Sequence, residues 1–476
     1  MTHSILWQIV RFEWRRFWRD KSSLPIALGL ILTLATSLYL SHYQFQQRHA
    51  QQQKAHDISQ AQWMDQPDRH PHRVAHFGDF AFKPEHILAG FDEGANAFTG
   101  HVLFLESHRQ NSANFNDATE STALLRFGQF TPAFVLQVVM PLVLIFIGFA
   151  VVSQEREQGS LQQLVATGVK LNQFILGKLL ALAIPSVALV FLLGVAGFVF
   201  VLAQTGGLSM DIVSRIALLI LSYSLYLFIW CMVITAVSTL AKHSQSALVL
   251  LIALWLIFCI ASPRLGHEIA HQLYPTPSLV QADFAAEAAL EKIGDSHNPD
   301  DPHFNAFKIS VLKQYGVEKI EDLPVNYNGL LMQEGERLST QVYSDQHEKI
   351  AQRMLQQSTL VSNLAWLNPA IAIQQFSRAI SASDLAHHQA FLADAERQRF
   401  KTVQYLNGLQ THEVQHESDK EQRISQQFWQ KAPREDIVLP GIQFAKSVLL
   451  QSIAVLIAWL VLGGLLFNYC VKRSNI

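Results

Sequence analysis

The chain has 476 residues, of which 50% are hydrophobic and 16% are charged. This charge content is low for a soluble protein, and the charges are concentrated in some segments and almost missing from others. The formal net charge of −2 and the lack of a basic stripe argue against a nucleic-acid partner. The three cysteines all lie in apolar segments, so they cannot form a disulfide framework across the polar regions.

Six apolar segments are each long enough to cross a lipid bilayer, which takes about 20 helical residues. They cover residues 24–43, 132–152, 174–204, 212–240, 246–262 and 442–471. A signal peptide is the alternative for the first segment. The segment is long for one, and no small-x-small cleavage site follows it, which favours an uncleaved anchor.

Basic residues are interleaved with aromatic residues in the first 23 positions, as in Trp7, Arg11, Trp14 and Arg16. This mixture is typical of a helix that lies in the membrane interface, and the alternative is a plain flank of the first span. Either interpretation places this end in the cytoplasm by the positive-inside rule, and an even number of spans then places the tail 472–476 there too.

Two polar regions separate the spans. Residues 44–131 contain turn-rich pieces and a possible strand at 101–105, which predicts a mixed subdomain outside the membrane. Residues 263–441 contain long amphipathic stretches at 281–293, 329–363 and 384–409, which predict helices. The fold class is therefore a membrane all-α protein with six transmembrane helices, a mixed first outer loop and a mainly helical second outer domain.

A short charged insert joins the second and third apolar segments, and residues 153–168 form its centre. Ser160 and Gln163 have the spacing of a capping box, and Gly168 stands where a left-handed helix cap would lie. Leu161, Leu164 and Val165 would then form an apolar ridge on one face of a short helix. The ridge is suited either to docking on a partner or to resting on the bilayer.

The chain lacks the sequence of a phosphate-binding loop, because Gly177-Lys178 is followed by leucine and the preceding glycine is too distant. The apolar segments contain almost no ionisable residues apart from Lys178 and Arg215, each near a segment end. An ion-coupled carrier usually keeps such a group near the membrane centre. Energy for transport would therefore come from a partner protein.

The insert resembles the coupling segment of type-2 (ABC-2) ABC transporter permeases, whose pattern is E-R-E-x-G-[ST]-L-x-x-L. The resemblance implies an inner-membrane permease without catalytic residues or cofactors of its own, paired with a second identical or related permease chain. It also implies a separate ATPase subunit that binds ATP and Mg²⁺. The matching positions would contact that subunit: Glu155, Arg156, Glu157, Gly159, Ser160, Leu161, Leu164 and Val165.

The large polar regions resemble those of a subfamily of these permeases that carries an extracytoplasmic domain before the last span. The similarity lies in residues 106–111, 125–128, 273–278, 367–372 and 382–391. This resemblance implies that the chain forms one half of a transporter, and it does not identify the cargo.

A second motif points to different chemistry. His267-Glu268-Ile269-Ala270-His271 matches H-E-x-x-H, in which two histidines one helical turn apart bind Zn²⁺ and the glutamate activates water. Glu291 lies at a suitable distance in sequence for a third ligand. A membrane zinc peptidase is therefore the alternative function, against an incidental pair of surface histidines.

Seventeen of the 20 histidines lie in the two polar regions. They indicate either transition-metal handling outside the membrane or simply polar residues on solvated helices. A ligand-binding sensor or scaffold is the third hypothesis for the whole chain.

Overall fold

The computed structural model describes residues 2–21, 23–111, 130–207, 209–294, 298 and 301–473. Within these residues, six helical segments are long and apolar enough to cross a membrane, as the sequence predicted. We number them as spans 1–6. They cover Leu24–Met64, Pro132–Glu157, Leu171–Gln204, Met210–Leu240, Ser244–Leu273 and Ile442–Lys472.

The helices of the described chain begin and end as follows: α1 Thr2–Arg19, α2 Ser23–Met64, α3 Pro71–Phe77, α4 Pro132–Phe134, α5 Met140–Gly148, α6 Ser153–Glu157, α7 Ser160–Ala166, α8 Leu171–Thr205, α9 Met210–Leu240, α10 Ser244–Trp255, α11 Ser262–Leu273, α12 Leu279–Ile293, α13 Pro302–Tyr315, α14 Tyr327–Leu364, α15 Pro369–Ile380, α16 Leu385–Glu413, α17 Gln427–Gln430 and α18 Lys446–Arg473. Two π-helical turns, Val135–Val139 and Leu256–Ala261, interrupt spans 2 and 5.

The helices that contain the first and fifth apolar segments extend well beyond those segments. The first continues past residue 43 as one helix to Met64, because the Gln- and His-rich stretch after the apolar run is also helical. The fifth continues past residue 262 to Leu273. Pro263 does not end it, because this proline follows the π-helical turn and lies in the first turn of α11, where a proline is tolerated. Pro275 lies two residues beyond the observed end of this helix at Leu273.

The two polar regions pack together at one end of the bundle of spans, and we call their described residues the head (residues 44–111, 130–131, 263–294, 298 and 301–441). The indole of Trp63 donates a 3.0 Å hydrogen bond to the carbonyl of Trp429, and both rings are buried. Arg434 forms an ion pair of 2.6 Å with Asp79. The insert and α1 lie at the opposite end of the bundle.

The first polar region is mixed, as predicted. Its described residues contain the antiparallel strands β1 (Asp79–Phe82), β2 (Val102–Glu106) and β3 (Arg109–Gln110) in the order β1-β2-β3, with Asp79 opposite Leu105. Leu103 and Leu105 alternate inward along β2 and pack against Phe391 of α16. Residues 125–128, which carry part of the family resemblance, lie outside the described residues.

The second polar region is mainly helical, as predicted, but it is not separate from the membrane bundle. Its helix α15 packs against α9 of span 4 and α18 of span 6. Ile373, Phe376 and Ile380 are fully buried in the same apolar core as the spans. The head and the bundle therefore share one core through α15.

Candidate functional site

The insert folds as two short helices, α6 and α7, joined by Gly159 in a left-handed conformation (φ 73°). The predicted capping box does not form. Ser160 is the first residue of α7, and its hydroxyl donates to the carboxylate of Glu155 and to the Glu155 carbonyl at 3.2 Å. An ionised carboxylate is a stronger acceptor than a neutral partner, so it takes the hydroxyl. The same S-x-x-Q pattern does form a capping box at Ser278 and Gln281.

The C-terminal end of α7 has the cap that the sequence predicted. Gly168 adopts a left-handed conformation with φ 91°. Its N–H donates to the carbonyl of Val165 at 2.9 Å, and the N–H of Val169 donates to the carbonyl of Leu164 at 3.3 Å. These two bonds form a Schellman motif, which ends the helix and turns the chain into span 3.

The apolar ridge of α7 faces the chain's own bundle. Leu161 is only 2% exposed and belongs to the bundle core, and Leu164 packs against that core. Val165 is half-buried. The face of α7 that is exposed to solvent consists of Gln162, Gln163, Ala166 and Thr167. Leu161 therefore packs into the chain's own core, and the contact of the ridge with a partner stays a prediction.

A cluster of charges links the insert to α1 and span 3. The ammonium of Lys178, which is 1% exposed, lies 2.6 Å from Glu13 and 3.1 Å from Glu155. Arg16 also contacts Glu155 at 3.4 Å and donates to the amide oxygen of Gln154. The Lys178 ammonium also lies 4.9 Å from the ring centre of Phe174, within range of a cation–π contact.

The insert also holds the turn between spans 4 and 5. Arg156 donates a 2.7 Å hydrogen bond to the carbonyl of Ala241. The carboxylate of Glu157 accepts from the backbone N–H and from the hydroxyl of Ser244, both at 2.8 Å, and so stabilises the first turn of α10. Together with the Lys178 cluster, these contacts connect the insert with α1 and with spans 3, 4 and 5.

The motif of the insert contains Glu155, Arg156 and Glu157, but it does not indicate which residues hold them. Glu13 and Arg16 come from α1, far away in the sequence. Lys178, at the end of an apolar run, is the one indication in the sequence that such partners exist. A buried ammonium requires an anionic partner.

The junction between the bundle and the head contains a second buried cation. Arg215, at the head end of span 4, is 1% exposed and donates to Asp211 and to the carbonyl of Ile380 at the end of α15, both at 2.6 Å. Asp211 also accepts from the backbone N–H of Ile442 at the start of span 6. Arg215 thereby joins spans 4 and 6 to α15.

Two further hydrogen bonds fix α15 to the spans. The hydroxyl of Tyr223 in span 4 donates to Ser377 at 2.9 Å. Asn368, which caps α15, donates to the carbonyl of Phe258 in span 5 at 2.8 Å. The apolar composition of residues 369–380 was visible in the sequence, but it did not reveal that this helix joins the membrane core.

The head has its own ionic centre. Arg399 of α16 is bound by Glu396 at 2.8 Å and by Glu336 of α14, which is fully buried. Burial by itself raises the pKa of Glu336, but hydrogen bonds and charges from His108 and Arg399 outweigh it and lower the pKa to about 2. The carboxylate is therefore ionised, and it connects α14, α16 and the β2–β3 turn.

An apolar cavity of about 390 Å³ lies between spans 1, 3 and 4 and a head segment around residues 87–91. Its lining is almost entirely apolar and includes Tyr39, Phe91, Gly197 and Ile216. Such a lining suits an apolar chain rather than an ion.

The H-E-x-x-H motif lies on α11, and His267, Glu268 and His271 are all exposed. His267 donates through Nδ1 to the carbonyl of Pro263, and Glu268 accepts from Gln272. In the described part of the chain, these histidines and Glu291 do not come close enough together to share an ion. The peptidase alternative gains no support from this geometry.

Six apolar spans indicate a multi-pass membrane protein, and the insert is braced against three of them. Residues 96–263 match the family model described as ABC-2 family transporter protein. This match supports an ABC-2 type transporter permease, as the resemblance of the insert predicted. Residues 283–434 match a model described as a domain of unknown function (DUF3526). No curated protein matches the chain.

Proposed function

We propose that this permease is driven by a separate ATPase subunit, which binds ATP and Mg²⁺ and docks on the exposed face of α7. The observation that carries the proposal is the bracing of the insert. Its exposed side is polar and open, while its other side is tied to α1 and to spans 3, 4 and 5 through Lys178, Glu155, Arg156 and Glu157. A displacement of α7 would therefore be passed to several helices at once.

We also propose an orientation of the chain in the membrane. The insert, α1 and both chain termini face the cytoplasm, and the head lies outside the inner membrane, in agreement with the basic residues near the insert end of the bundle. Because the ATPase works as a dimer, two permease chains, identical or related, complete the transporter. Through α15, movement of spans 4 and 6 would also move the head.

The apolar lining of the cavity is the basis for a proposal about the chemical class of the cargo. We infer that the cavity receives the apolar part of an amphipathic, lipid-like cargo, because its lining offers packing surface and hardly any hydrogen-bonding groups. Movement of span 3 or span 4 would change its volume.

Co-purification with the ATPase and measurement of its stimulated hydrolysis test the docking face. Gln163→Arg places a bulky cation on the exposed side of α7 without disturbing the buried ridge. We expect it to abolish co-purification. The control is Gln204→Arg, which makes the same change at an exposed position at the other end of span 3. We expect docking to survive in the control, and docking that survives in Gln163→Arg would refute the proposed interface.

A further inference from the structure

Three histidines of the head meet near its surface, and neither the proposed transport function nor the H-E-x-x-H motif involves them. His72 and His76 lie one turn apart on α3, and His108 lies in the turn between β2 and β3. One ligand nitrogen from each ring lies within 4.8 Å of the other two. Among the described residues, this is the group of His, Cys, Asp and Glu side chains that could hold a metal ion.

The spacing of the rings fits metal coordination. The Nε2 atoms of His72 and His76 are 3.2 Å apart. Two nitrogens that each lie about 2.05 Å from a tetrahedral Zn²⁺ are about 3.3 Å apart, so these two rings are already at the required separation. The ring centre of His108 lies 5.7 Å from that of His72 and 5.3 Å from that of His76, so the third ring lies beside the first two.

The groups behind the rings match those that orient metal-binding histidines. The Nδ1 atom of His108 lies 3.2 Å from the carboxylate of Glu336, and Nδ1 of His76 lies 3.2 Å from the hydroxyl of Ser107. A carboxylate or hydroxyl on Nδ1 fixes the tautomer and assigns metal ligation to Nε2. The carboxylate of Glu336 is fully buried behind His108.

The backbone of the turn holds His108 in place. Its φ of 64° lies in the left-handed region, which costs free energy for a residue other than glycine. The N–H of His108 donates to Glu336 at 2.8 Å, so the same carboxylate fixes both the backbone and the imidazole. The conformation is thus held by a buried group of α14.

We propose that His72, His76 and His108 bind one divalent transition-metal ion, with Zn²⁺ as the best match. Three neutral imidazoles suit Zn²⁺, Cu²⁺ and Ni²⁺ and exclude Mg²⁺ and Ca²⁺, which prefer oxygen ligands. Three protein ligands leave a coordination position for water or for a ligand from outside. Because His76 is exposed, the ion can exchange with solvent.

The test uses the full chain in detergent, without a polyhistidine tag, stripped with a chelator and titrated with Zn²⁺ against a chromophoric competitor. We expect one tight Zn²⁺ per chain, and binding about 100-fold weaker or lost in His76→Ala. Ser107→Ala, which removes only the hydroxyl behind His76, should weaken binding about 10-fold. Mg²⁺ at the same concentration should not compete.

The matched control is His271→Ala, because His267 and His271 form another exposed pair one helical turn apart but without a third histidine. Zn²⁺ should raise the unfolding midpoint of the wild type and of His271→Ala but not that of His76→Ala. The metal-free midpoints of all three should agree, which shows that the variants fold. The proposal is overturned if the wild type binds no Zn²⁺, if His76→Ala binds as the wild type does, or if His271→Ala removes the site.

Discussion

The insert and the head both bury charged residues, but they bury them in different surroundings. In the insert, the Lys178 cluster joins segments that are distant in sequence, and the carboxylates of Glu13 and Glu155 keep some contact with solvent. In the head, Arg399 and Glu336 are buried almost completely among packed helices. The insert is thus an open junction with a free polar face, whereas the ionic centre of the head is closed.

The difference indicates what each charge cluster does. A closed ionic centre with several hydrogen bonds fixes one arrangement of its helices, because separating its members would leave bare charges in the interior. An open cluster can rearrange at lower cost, because water can replace a lost partner. We therefore expect changes in the head to affect stability most and changes in the insert to affect coupling most.

The largest effect on stability should come from Arg399→Met. It leaves Glu336 and Glu396 buried without their cation, which typically costs about 3–5 kcal/mol. Thermal unfolding followed by tryptophan fluorescence would measure it. Arg397→Met is the control, since Arg397 is exposed and pairs only with Asp394 at the surface, and it should cost less than about 1 kcal/mol. Equal effects of the two variants would contradict a closed ionic centre.

Lys178→Met should reduce stability less than Arg399→Met but uncouple the transporter. Arg16 and Ser160 still contact Glu155, so part of the cluster remains. We expect the ATPase to co-purify with the variant while transport-linked stimulation of hydrolysis is lost. Lys170→Met, at an exposed lysine just before span 3, is the control. Normal stimulation in Lys178→Met would show that the cluster is only a structural anchor.

Acid should weaken the head in a defined pH range. Burial, with the charge of Lys83, lowers the pKa of His388 to about 3, so the folded head holds this imidazole neutral. The unfolded chain protonates it below pH about 6.5. Its contribution to stability is therefore present above pH 6.5 and is lost as the pH falls toward 3.

The unfolding midpoint between pH 7.5 and 4.5 measures this contribution. The slope against pH should be shallower in His388→Asn than in the wild type. His412→Asn, at an exposed position of the same helix, should keep the wild-type slope. If His388→Asn unfolds with the wild-type slope, the buried imidazole does not contribute to the acid sensitivity.

The smallest effect on stability should come from Gly197→Phe. This substitution fills part of the apolar cavity between spans 1, 3 and 4 and the head segment around residues 87–91. No atom lies within 4 Å of a Cβ at this position, so there is open space where the new side chain begins. Replacing a helical glycine also reduces the conformational entropy that the chain loses on folding. We expect unchanged folding but reduced stimulation of ATP hydrolysis by amphipathic compounds. Gly464→Phe, in span 6 and also without near neighbours, should leave the stimulation unchanged.

Much of the local structure could be predicted because it depends on neighbouring residues. The spans follow from runs of apolar residues, and the cap at Gly168 follows from a glycine at the end of a short helix. The prediction of a capping box at Ser160 was wrong, and the cause is again a residue close in sequence. The pattern could not show that the carboxylate of Glu155, five residues earlier, would take the hydroxyl.

The amino-acid sequence alone determined the six spans, the mixed and helical polar regions, and the family through the pattern of the insert. The tertiary structure decided which way α7 faces, which residues neutralise Lys178, and that α15 belongs to the membrane core. It also brought His108 to His72 and His76. These features depend on contacts between residues that are distant in sequence, and hydrophobic periodicity gives no information about such contacts because it reports only which face of a helix is apolar.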